Sequence, residues 1–315
     1  MVASVTPAGP AVRVEQSDRL DAGQVREVLA LADTAAGTDG ADPLPEQVVI
    51  ALGTASAARH LRLTDPGGTL VGYAHLDLAD PGGPVAELVI HPGQRRRGHG
   101  HRLTRALLDA AARAAPTTVR PGSGLRAWAH GDHPSAAALA LDHGFTRDRV
   151  LLQLRRRLTA PLPEPVLPAG VVLRAFQPGV DDDAWVTVNA RAFADHPEQG
   201  RWGLTELRAR TAQPWFDPSG FLLAEEQTTG RLLGFHWTKV HPDPPVGEVY
   251  VLGVDPRTHR GGLGRALTLA GLRYLAGRGL DRAMLYVDES NAAAVRLYTR
   301  LGFLRRSADV NYRAE

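Results

Sequence analysis

The chain has 315 residues, of which 43% are hydrophobic and 22% charged, a composition typical of a folded globular protein with room for about two domains. Its formal net charge is only +2, despite a sequence pI of about 9.2, so the charge balance implies no general nucleic-acid or membrane partner. The absence of cysteine excludes disulfides, thiolate metal ligands and a cysteine nucleophile, and the lack of a signal-like start or long apolar run predicts a cytoplasmic protein.

In the first half, AELVIHPGQRRRGHGHRLTRALLDAAARA (residues 86–114) predicts a strand, a basic glycine-rich turn and an apolar-periodic helix. An alanine-rich helix that ends at a Gly-Phe pair follows in HPSAAALALDHGF (residues 133–145). The segment LTAPLPEPVLPAG (residues 158–170) contains four prolines, which cannot sustain a helix. We therefore predict a first domain at 1–158, a linker at 159–170 and a second domain at 171–315.

The second half predicts strands and helices in alternation. VVLRAF is a strand, DDDAWVTVNARAF and LTELRARTA are helices, and GFLLAEE and RLLGFHWTKV are strands joined by a Thr-Gly turn. Next come the strand EVYVLGV, the helix GLGRALTLAGLRYLAG, the strand RAMLYV, the helix SNAAAVRLYTRL and a last strand from Phe303. This order predicts an α/β protein.

The two halves repeat each other. Residues 86–114 align with VYVLGVDPRTHRGGLGRALTLAGLRYLAG (residues 249–277), so that Pro92 matches Pro256, and Gly98 and Gly100 match Gly262 and Gly264. Residues 133–145 align in the same way with NAAAVRLYTRLGF (residues 291–303). The α/β unit is therefore predicted twice.

The repeated turn between strand and helix is a candidate phosphate site. Backbone N–H groups at the start of a helix lack partners and attract anions, and glycines let an anion approach the main chain. An isolated Gly-x-Gly is usually an ordinary turn, but here the same basic turn occurs twice in the same context. It is neither a P-loop nor a dinucleotide-binding G-x-G-x-x-G, because their remaining residues are missing.

Arginine or glutamine, two residues, Gly, one residue, Gly at such a turn resembles the acyl-CoA pyrophosphate loop of the GNAT superfamily of N-acetyltransferases. RRRGHG fits this motif fully, and HRGGLG departs from it at His259. The resemblance implies two tandem GNAT acyl-CoA N-acyltransferase folds, each a mixed, mostly antiparallel central sheet flanked by helices. It also implies acetyl-CoA as co-substrate and transfer to an amine.

The repeat suggests which half is catalytic. With no cysteine to acylate, direct attack of the amine in a ternary complex is the economical route, and it requires a base and a proton for the departing thiolate. Glu248 and Tyr298 are the candidate general base and general acid, whereas the first half has Pro84 and Ala140 at the matching positions. The alternatives are a solvated surface glutamate and a core tyrosine. We expect amide N–H groups on a bulged strand near Leu252, Gly253 and Val254 to stabilise the oxyanion.

Longer stretches, among them AFADHPEQGRW (residues 192–202) and LYVDESNAAAVRLYTRLGF (residues 285–303), resemble one tandem-domain family within this superfamily, the mycothiol synthases. That resemblance implies acetyl transfer to the α-amine of a cysteinyl group on a glucosaminyl-inositol. By the same resemblance, the acceptor contacts are Glu46, Glu198, Lys239, Glu248 and Tyr286.

The resemblance also implies two sets of acetyl-CoA contacts. In the second half they are Leu252, Gly253, Val254, His259, Arg260, Gly261, Gly262, Leu263, Gly264, Arg265, Asn291, Ala292, Ala293, Ala294, Val295 and Arg296. In the first half, which is predicted to be non-catalytic, they are Leu88, Val89, Ile90, Arg96, Arg97, Gly98, His99, Gly100 and His101.

Other functions stay open at this point. The acceptor could be an aminoglycoside, a polyamine or a protein N-terminus, and the protein could instead be a non-catalytic acyl-CoA sensor. The run RRRGHGHR alone supports nucleic-acid binding weakly. His196, His236 and His241 lack a defined ligand spacing, so we predict no metal. We expect a monomer, because two joined halves could bury the edges that single-domain relatives bury by dimerising.

Overall fold

The computed structural model describes residues 12–53, 57–80, 82–114, 124–194, 196, 199–258 and 261–314. The chain forms two compact units, Met1–Val150 with Ser307–Glu315 and Leu151–Arg306. No helix within the described ranges is long and apolar enough to cross a membrane. The cytoplasmic location, the monomeric state and the domain boundaries stay predictions.

The first unit follows the predicted order of strands and helices. Its elements are β1 (Arg13–Ser17), α1 (Ala22–Asp39), α2 (Glu46–Ala51), β2 (Ala58–Thr64), β3 (Leu70–Asp77), β4 (Val85–Ile90), α3 (His99–Ala114), β5 (Arg126–Ala129) and α4 (Pro134–Asp142). Helices α1 and α3 both contact β3 and β4 but belong to separate apolar clusters, so helices cover both faces of the sheet.

The second unit confirms the predicted strands and helices of the second half. Its elements are β7 (Val171–Ala175), α5 (Asp182–Ala192), α6 (Leu204–Thr211), β8 (Phe221–Glu226), β9 (Leu232–Pro242), β10 (Pro245–Val254), α7 (Leu263–Gly277), β11 (Arg282–Asp288) and α8 (Ala292–Arg300). Its largest core cluster is aromatic, with the rings of Phe221 and Trp237 stacked at 4.4 Å and Trp185 meeting both edge-on.

The two sheets share one topology. In the first unit β1, β2, β3 and β4 pair antiparallel and β4 pairs parallel with β5. In the second unit β7, β8, β9 and β10 pair antiparallel and β10 pairs parallel with β11. Each sheet is thus mixed and mostly antiparallel, as predicted for a GNAT fold.

The last strand of each sheet comes from the other half of the chain. Strand β6 (Phe145–Arg157) begins in the first unit and pairs with β11 in the second, from Leu151↔Asp288 to Arg157↔Arg282. Strand β12 (Leu304–Ala314) pairs with β5 in the first unit. The division of the chain at 158–170 did not anticipate this exchange. Because the halves are repeats, each strand finds an edge equivalent to the one beside its own half.

Strand β9 and helix α7 approach each other closely at one glycine. A Cβ on Gly271 would lie 2.0 Å from Cε1 of His236, whose side chain is fully buried. Nδ1 of His236 lies 2.7 Å from the Leu267 carbonyl oxygen, and burial lowers the pKa of His236 to about 4, so the ring is neutral. This contact fixes the middle of β9 against the helix that begins at the candidate CoA loop.

Candidate active site

The candidate CoA loop leads from β10 into α7. Gly262, the residue before the helix, has a φ of +87°, a left-handed conformation that favours glycine, and no side-chain bond caps the N–H groups there. Asp255, buried just after β10, accepts the Arg257 N–H at 2.9 Å and pairs with Arg191 at 3.1 Å. The loop therefore presents a helix N-terminus that can accept an anion.

The predicted CoA contacts of the second half occupy one edge of the sheet. Gly261, Gly262, Leu263, Gly264 and Arg265 lie at the start of α7, whereas His259 and Arg260 fall outside the described residues. Asn291, Ala292, Ala293, Ala294, Val295 and Arg296 lie at the start of α8, where Asn291 Oδ1 accepts the Ala294 N–H at 3.1 Å. Helices α7 and α8 follow β10 and β11, which are parallel, so both helix starts lie at the carboxyl edge of that pair.

Strands β10 and β11 separate near the predicted thioester position. Their pairing runs only from Gly247↔Ala283 to Val249↔Leu285, whereas β10 stays paired with β9 as far as Val254. A register shift between Val249 and Val251 marks a bulge at Tyr250, two residues before the predicted stretch that begins at Leu252. Parting strands free backbone groups for a ligand, so amide donors at Leu252, Gly253 and Val254 stay a prediction that this geometry favours.

Glu248 lies in β10 immediately before the strands part. Its Cα partners are Lys239 on β9 and Met284 on β11, and only 8% of the residue is exposed. Oε2 of Glu248 lies 2.7 Å from Nε2 of His241. The burial and this specific contact disfavour the alternative of a solvated surface glutamate.

Tyr298 lies on α8 and is also buried, at 8% exposure. Its ring meets that of Phe303 edge-on, 5.7 Å between centroids. Burial raises the pKa of Tyr298 to about 12, so the phenol keeps its proton at neutral pH. A protonated phenol is what a general acid requires, although a core tyrosine would have the same property.

Lys239, a predicted acceptor contact, is held by aromatic rings. Its Nζ lies 4.6 Å from the ring centroid of Trp215 and 5.3 Å from that of Tyr250. The Tyr250 hydroxyl accepts a hydrogen bond from Nε of Arg210 at 2.9 Å, and the Arg210 guanidinium lies 3.7 Å from the centroid of Trp202. These side chains form a half-buried group of cations and rings beside Glu248, which the sequence did not single out.

The remaining acceptor predictions have different outcomes. Tyr286 on β11 is 39% exposed, and its hydroxyl accepts a hydrogen bond from Gln153 Nε2 at 2.7 Å. Glu198 falls outside the described residues. Glu46 begins α2 in the first unit, directly after Pro45. Their roles in acceptor binding stay predictions.

The three histidines considered as metal ligands have separate protein partners. His196 Nδ1 accepts the Gln199 N–H at 3.0 Å, His236 contacts the Leu267 carbonyl, and His241 contacts Glu248. Across the described residues, no group of three or more His, Asp or Glu side chains could hold a metal ion. These contacts favour packing and acid–base roles over ligation.

The first unit contains a cavity of about 580 Å³ at the matching edge of its own sheet. Strands β4 and β5 pair only at Val85↔Arg126 and Ala86↔Ala127, so they part as β10 and β11 do. The cavity is lined by predicted contacts Leu88, Val89, Ile90, Arg96, Gly98, His99, Gly100 and His101, whereas Arg97 belongs to the same loop but not to the lining.

A buried ion network at this cavity was missed in the sequence. His130, which lines the cavity, lies between Glu87 (Nε2 to Oε2, 3.0 Å) and Asp309 (Nδ1 to Oδ2, 3.1 Å). Burial alone would lower the pKa of His130, but the two carboxylates raise it to about 10. Both ring nitrogens are occupied, so the network closes the cavity rather than reaching into it. No sequence signal could find it, because Asp309 arrives on the exchanged strand.

Comparison with known proteins agrees with this architecture. The Acetyltransferase (GNAT) family matches residues 37–130 and 189–303. A GCN5-related N-acetyltransferase from Sphaerobacter thermophilus has a TM-score of 0.70 at 24% identity, covering 96% of this chain and 95% of that one. A tandem GNAT protein from the clavulanic acid biosynthesis pathway has a TM-score of 0.72 at 22% identity, covering 97% and 98%. The chain therefore belongs to the GNAT acetyltransferase family, and the prediction of two tandem GNAT folds is confirmed.

Closer relatives narrow the family. A mycothiol acetyltransferase from Salinispora arenicola is 59% identical over 306 residues, which is 95% of this chain and 96% of that protein. The mycothiol acetyltransferase of Salinispora tropica is 58% identical over the same shares. Within the GNAT family, this chain thus belongs with the mycothiol acetyltransferases, which confirms the resemblance found in the sequence.

Proposed function

We propose that this protein transfers acetyl from acetyl-CoA to the cysteinyl α-amine of a cysteinyl-glucosaminyl-inositol, giving mycothiol. The relatives' shared name supports the product, and the GNAT family supports acetyl-CoA as donor. The observation that carries the chemistry is the buried carboxylate of Glu248, located where β10 and β11 separate.

The reaction is a direct acyl transfer in a ternary complex. The amine nitrogen attacks the thioester carbon, the C–N bond forms, and the C–S bond breaks to release CoA thiolate. Glu248 takes the proton of the amine, Tyr298 gives its phenolic proton to the sulfur, and solvent restores the phenol. Amides of Leu252, Gly253 and Val254 stabilise the oxyanion. An α-amine titrates near pH 8, so a carboxylate base can suffice.

Each binding role follows from local structure. The start of α7, with Arg265 and the left-handed Gly262, suits the pyrophosphate of CoA. Lys239, fixed by Trp215 and Tyr250, suits hydroxyl oxygens of the acceptor. Glu46, Glu198 and Tyr286 would complete the acceptor contacts.

The base is tested with Glu248→Gln, a nearly isosteric change. We expect kcat to fall by about 10²- to 10⁴-fold, because general-base catalysis contributes that much, with little change in CoA affinity measured by calorimetry. Tyr298→Phe keeps the ring against Phe303 and should lower kcat without a loss of CoA binding. Wild-type turnover in Glu248→Gln would remove this residue from the mechanism.

The acceptor is tested by thiol release from acetyl-CoA. Release should occur with the cysteinyl glucosaminyl-inositol and not with an aminoglycoside, a polyamine or a peptide N-terminus. Reaction with only the latter amines would contradict the proposed acceptor while leaving the acetyltransferase class intact.

We further propose that the first unit binds acetyl-CoA without turning it over. Its cavity has the volume and the glycine-rich loop for a ligand of this size, and it lacks counterparts of the acid and the base. Calorimetry should give two CoA per chain for the wild type. A stoichiometry of one would leave the first unit as a scaffold.

A further inference from the structure

We infer that His241 is the exit for the proton that Glu248 removes from the acceptor amine, so that the pair forms a relay from the buried site to solvent. The inference rests on Glu248 being the general base, as proposed above. It adds to the reaction a residue for which the sequence suggested only surface or packing roles.

The contact between the two side chains is short and specific. Oε2 of Glu248 lies 2.7 Å from Nε2 of His241, within the range of a charge-assisted hydrogen bond. In the β9–β10 ladder the Cα partner of His241 is Val246, two residues before Glu248. The two residues are therefore diagonal neighbours on one face of the sheet, a placement from which long side chains can meet.

Exposure increases along the pair from the carboxylate to the imidazole. The Glu248 side chain is 10% exposed, whereas that of His241 is 31% exposed. A proton that arrives on the buried carboxylate has to leave before the next turnover, and the hydrogen-bonded imidazole lies between it and water. Imidazole exchanges protons with water readily near neutral pH, which suits it to this step.

The relay balances as two proton transfers. The N–H bond of the acceptor ammonium breaks and an O–H bond forms on Glu248. The proton then passes from Oε2 to the unprotonated Nε2 of neutral His241, which becomes an imidazolium, and Nδ1 releases its proton to water. Each turnover thus returns Glu248 to the carboxylate and His241 to the neutral ring, and one proton enters the solvent.

The other histidines described near this face are committed elsewhere. His236 is fully buried and its Nδ1 contacts the Leu267 carbonyl, so it has no exposed side from which to release a proton. His196 Nδ1 receives the Gln199 N–H. Neither shares the geometry that connects His241 to the carboxylate.

The simpler alternative is that His241 only orients Glu248. A glutamine can donate one hydrogen bond to the carboxylate but cannot accept and release a proton, so His241→Gln separates orientation from relay. His241→Ala removes both functions and leaves space in which an added imidazole can replace the missing ring.

The experiment compares kcat, the KM of each substrate and the calorimetric CoA affinity for wild type, His241→Ala, His241→Gln and Glu248→Gln. We expect kcat to fall by about 10-fold or more in both His241 variants, with both KM values and CoA affinity preserved. Added imidazole should raise kcat of His241→Ala towards the wild-type value, and should leave wild type and Glu248→Gln unchanged.

Two results would overturn the relay. Near wild-type kcat in His241→Gln would show that a hydrogen bond to Glu248 is sufficient. A slow His241→Ala enzyme with intact CoA binding that does not respond to imidazole would show that the loss is structural. Full activity in Glu248→Gln would instead contradict the proposed base, whatever the His241 variants do, so the two failures are distinguishable.

Discussion

Gly271→Ala should destabilise the second unit, although the same change in the middle of a helix usually stabilises it. Replacing glycine by alanine in a helix favours folding by about 1 kcal/mol. Here the new Cβ would lie 2.0 Å from Cε1 and 2.2 Å from Nδ1 of His236, whereas carbon atoms pack at about 3.5–4.0 Å. The ring is fully buried and cannot swing towards solvent.

The magnitude follows from the two contacts that the shift disturbs. Overpacking a core costs about 1–3 kcal/mol, and loss of the bond between His236 and the Leu267 carbonyl costs about 1 kcal/mol more. After the helix-propensity gain is subtracted, we expect the free energy of unfolding to fall by about 1–3 kcal/mol. Because β9 also carries Lys239, the shift should raise the acceptor KM as well.

The measurement is urea unfolding followed by tryptophan fluorescence, since Trp185 and Trp237 are buried in the second unit and report on its core. Gly277→Ala is the matched control, because it changes the same helix where no atom lies within 4 Å of the new Cβ. It should leave stability unchanged or raise it by up to about 1 kcal/mol. If Gly271→Ala stabilised the protein as much as Gly277→Ala, the close approach would be refuted.

Three further predictions concern charged groups. Since the folded-state pKa of His236 is about 4, the unfolded chain takes up a proton there that the folded chain does not, and between pH about 6.5 and about 4 the second unit should lose up to about 3 kcal/mol, as urea unfolding at several pH values will test. Asp309→Ala removes one of the carboxylates flanking His130 and should destabilise the first unit by about 3 kcal/mol, visible in calorimetry as an earlier transition. Trp215→Leu removes one ring from Lys239, worth about 1 kcal/mol, and should raise the acceptor KM about 5-fold with the acetyl-CoA KM unchanged.

Local patterns predicted most of the fold because each element carries its own period and stop signals. The turn before α7 was predicted from Gly262 and Gly264, whose roles depend on backbone conformation and not on distant contacts. The exchange of β6 and β12 was not predicted, because the hydrogen bonds of a strand do not record which half of a repeat supplies its neighbour.

The site divides in the same way. Glu248 and Tyr298 were found because the repeat offered a comparison at each position. The contact of His241 with Glu248 depends on the register of the β9–β10 ladder, and that register includes a bulge and so cannot be read from spacing. The network of Glu87, His130 and Asp309 depends on the exchanged strand.

The structure of the first unit gives a physical account of how a duplicated fold could keep ligand space and lose chemistry. Pro84 corresponds to Glu248, and its carbonyl accepts the N–H of Arg126, just as Glu248 stands opposite Met284, so proline keeps the strand contact and removes the carboxylate. Ala140 corresponds to Tyr298 and lines the cavity of about 580 Å³. A tyrosine ring there would occupy part of that volume. The two substitutions therefore remove the proton acceptor and the proton donor while leaving the parted strands and the helix start that a nucleotide requires.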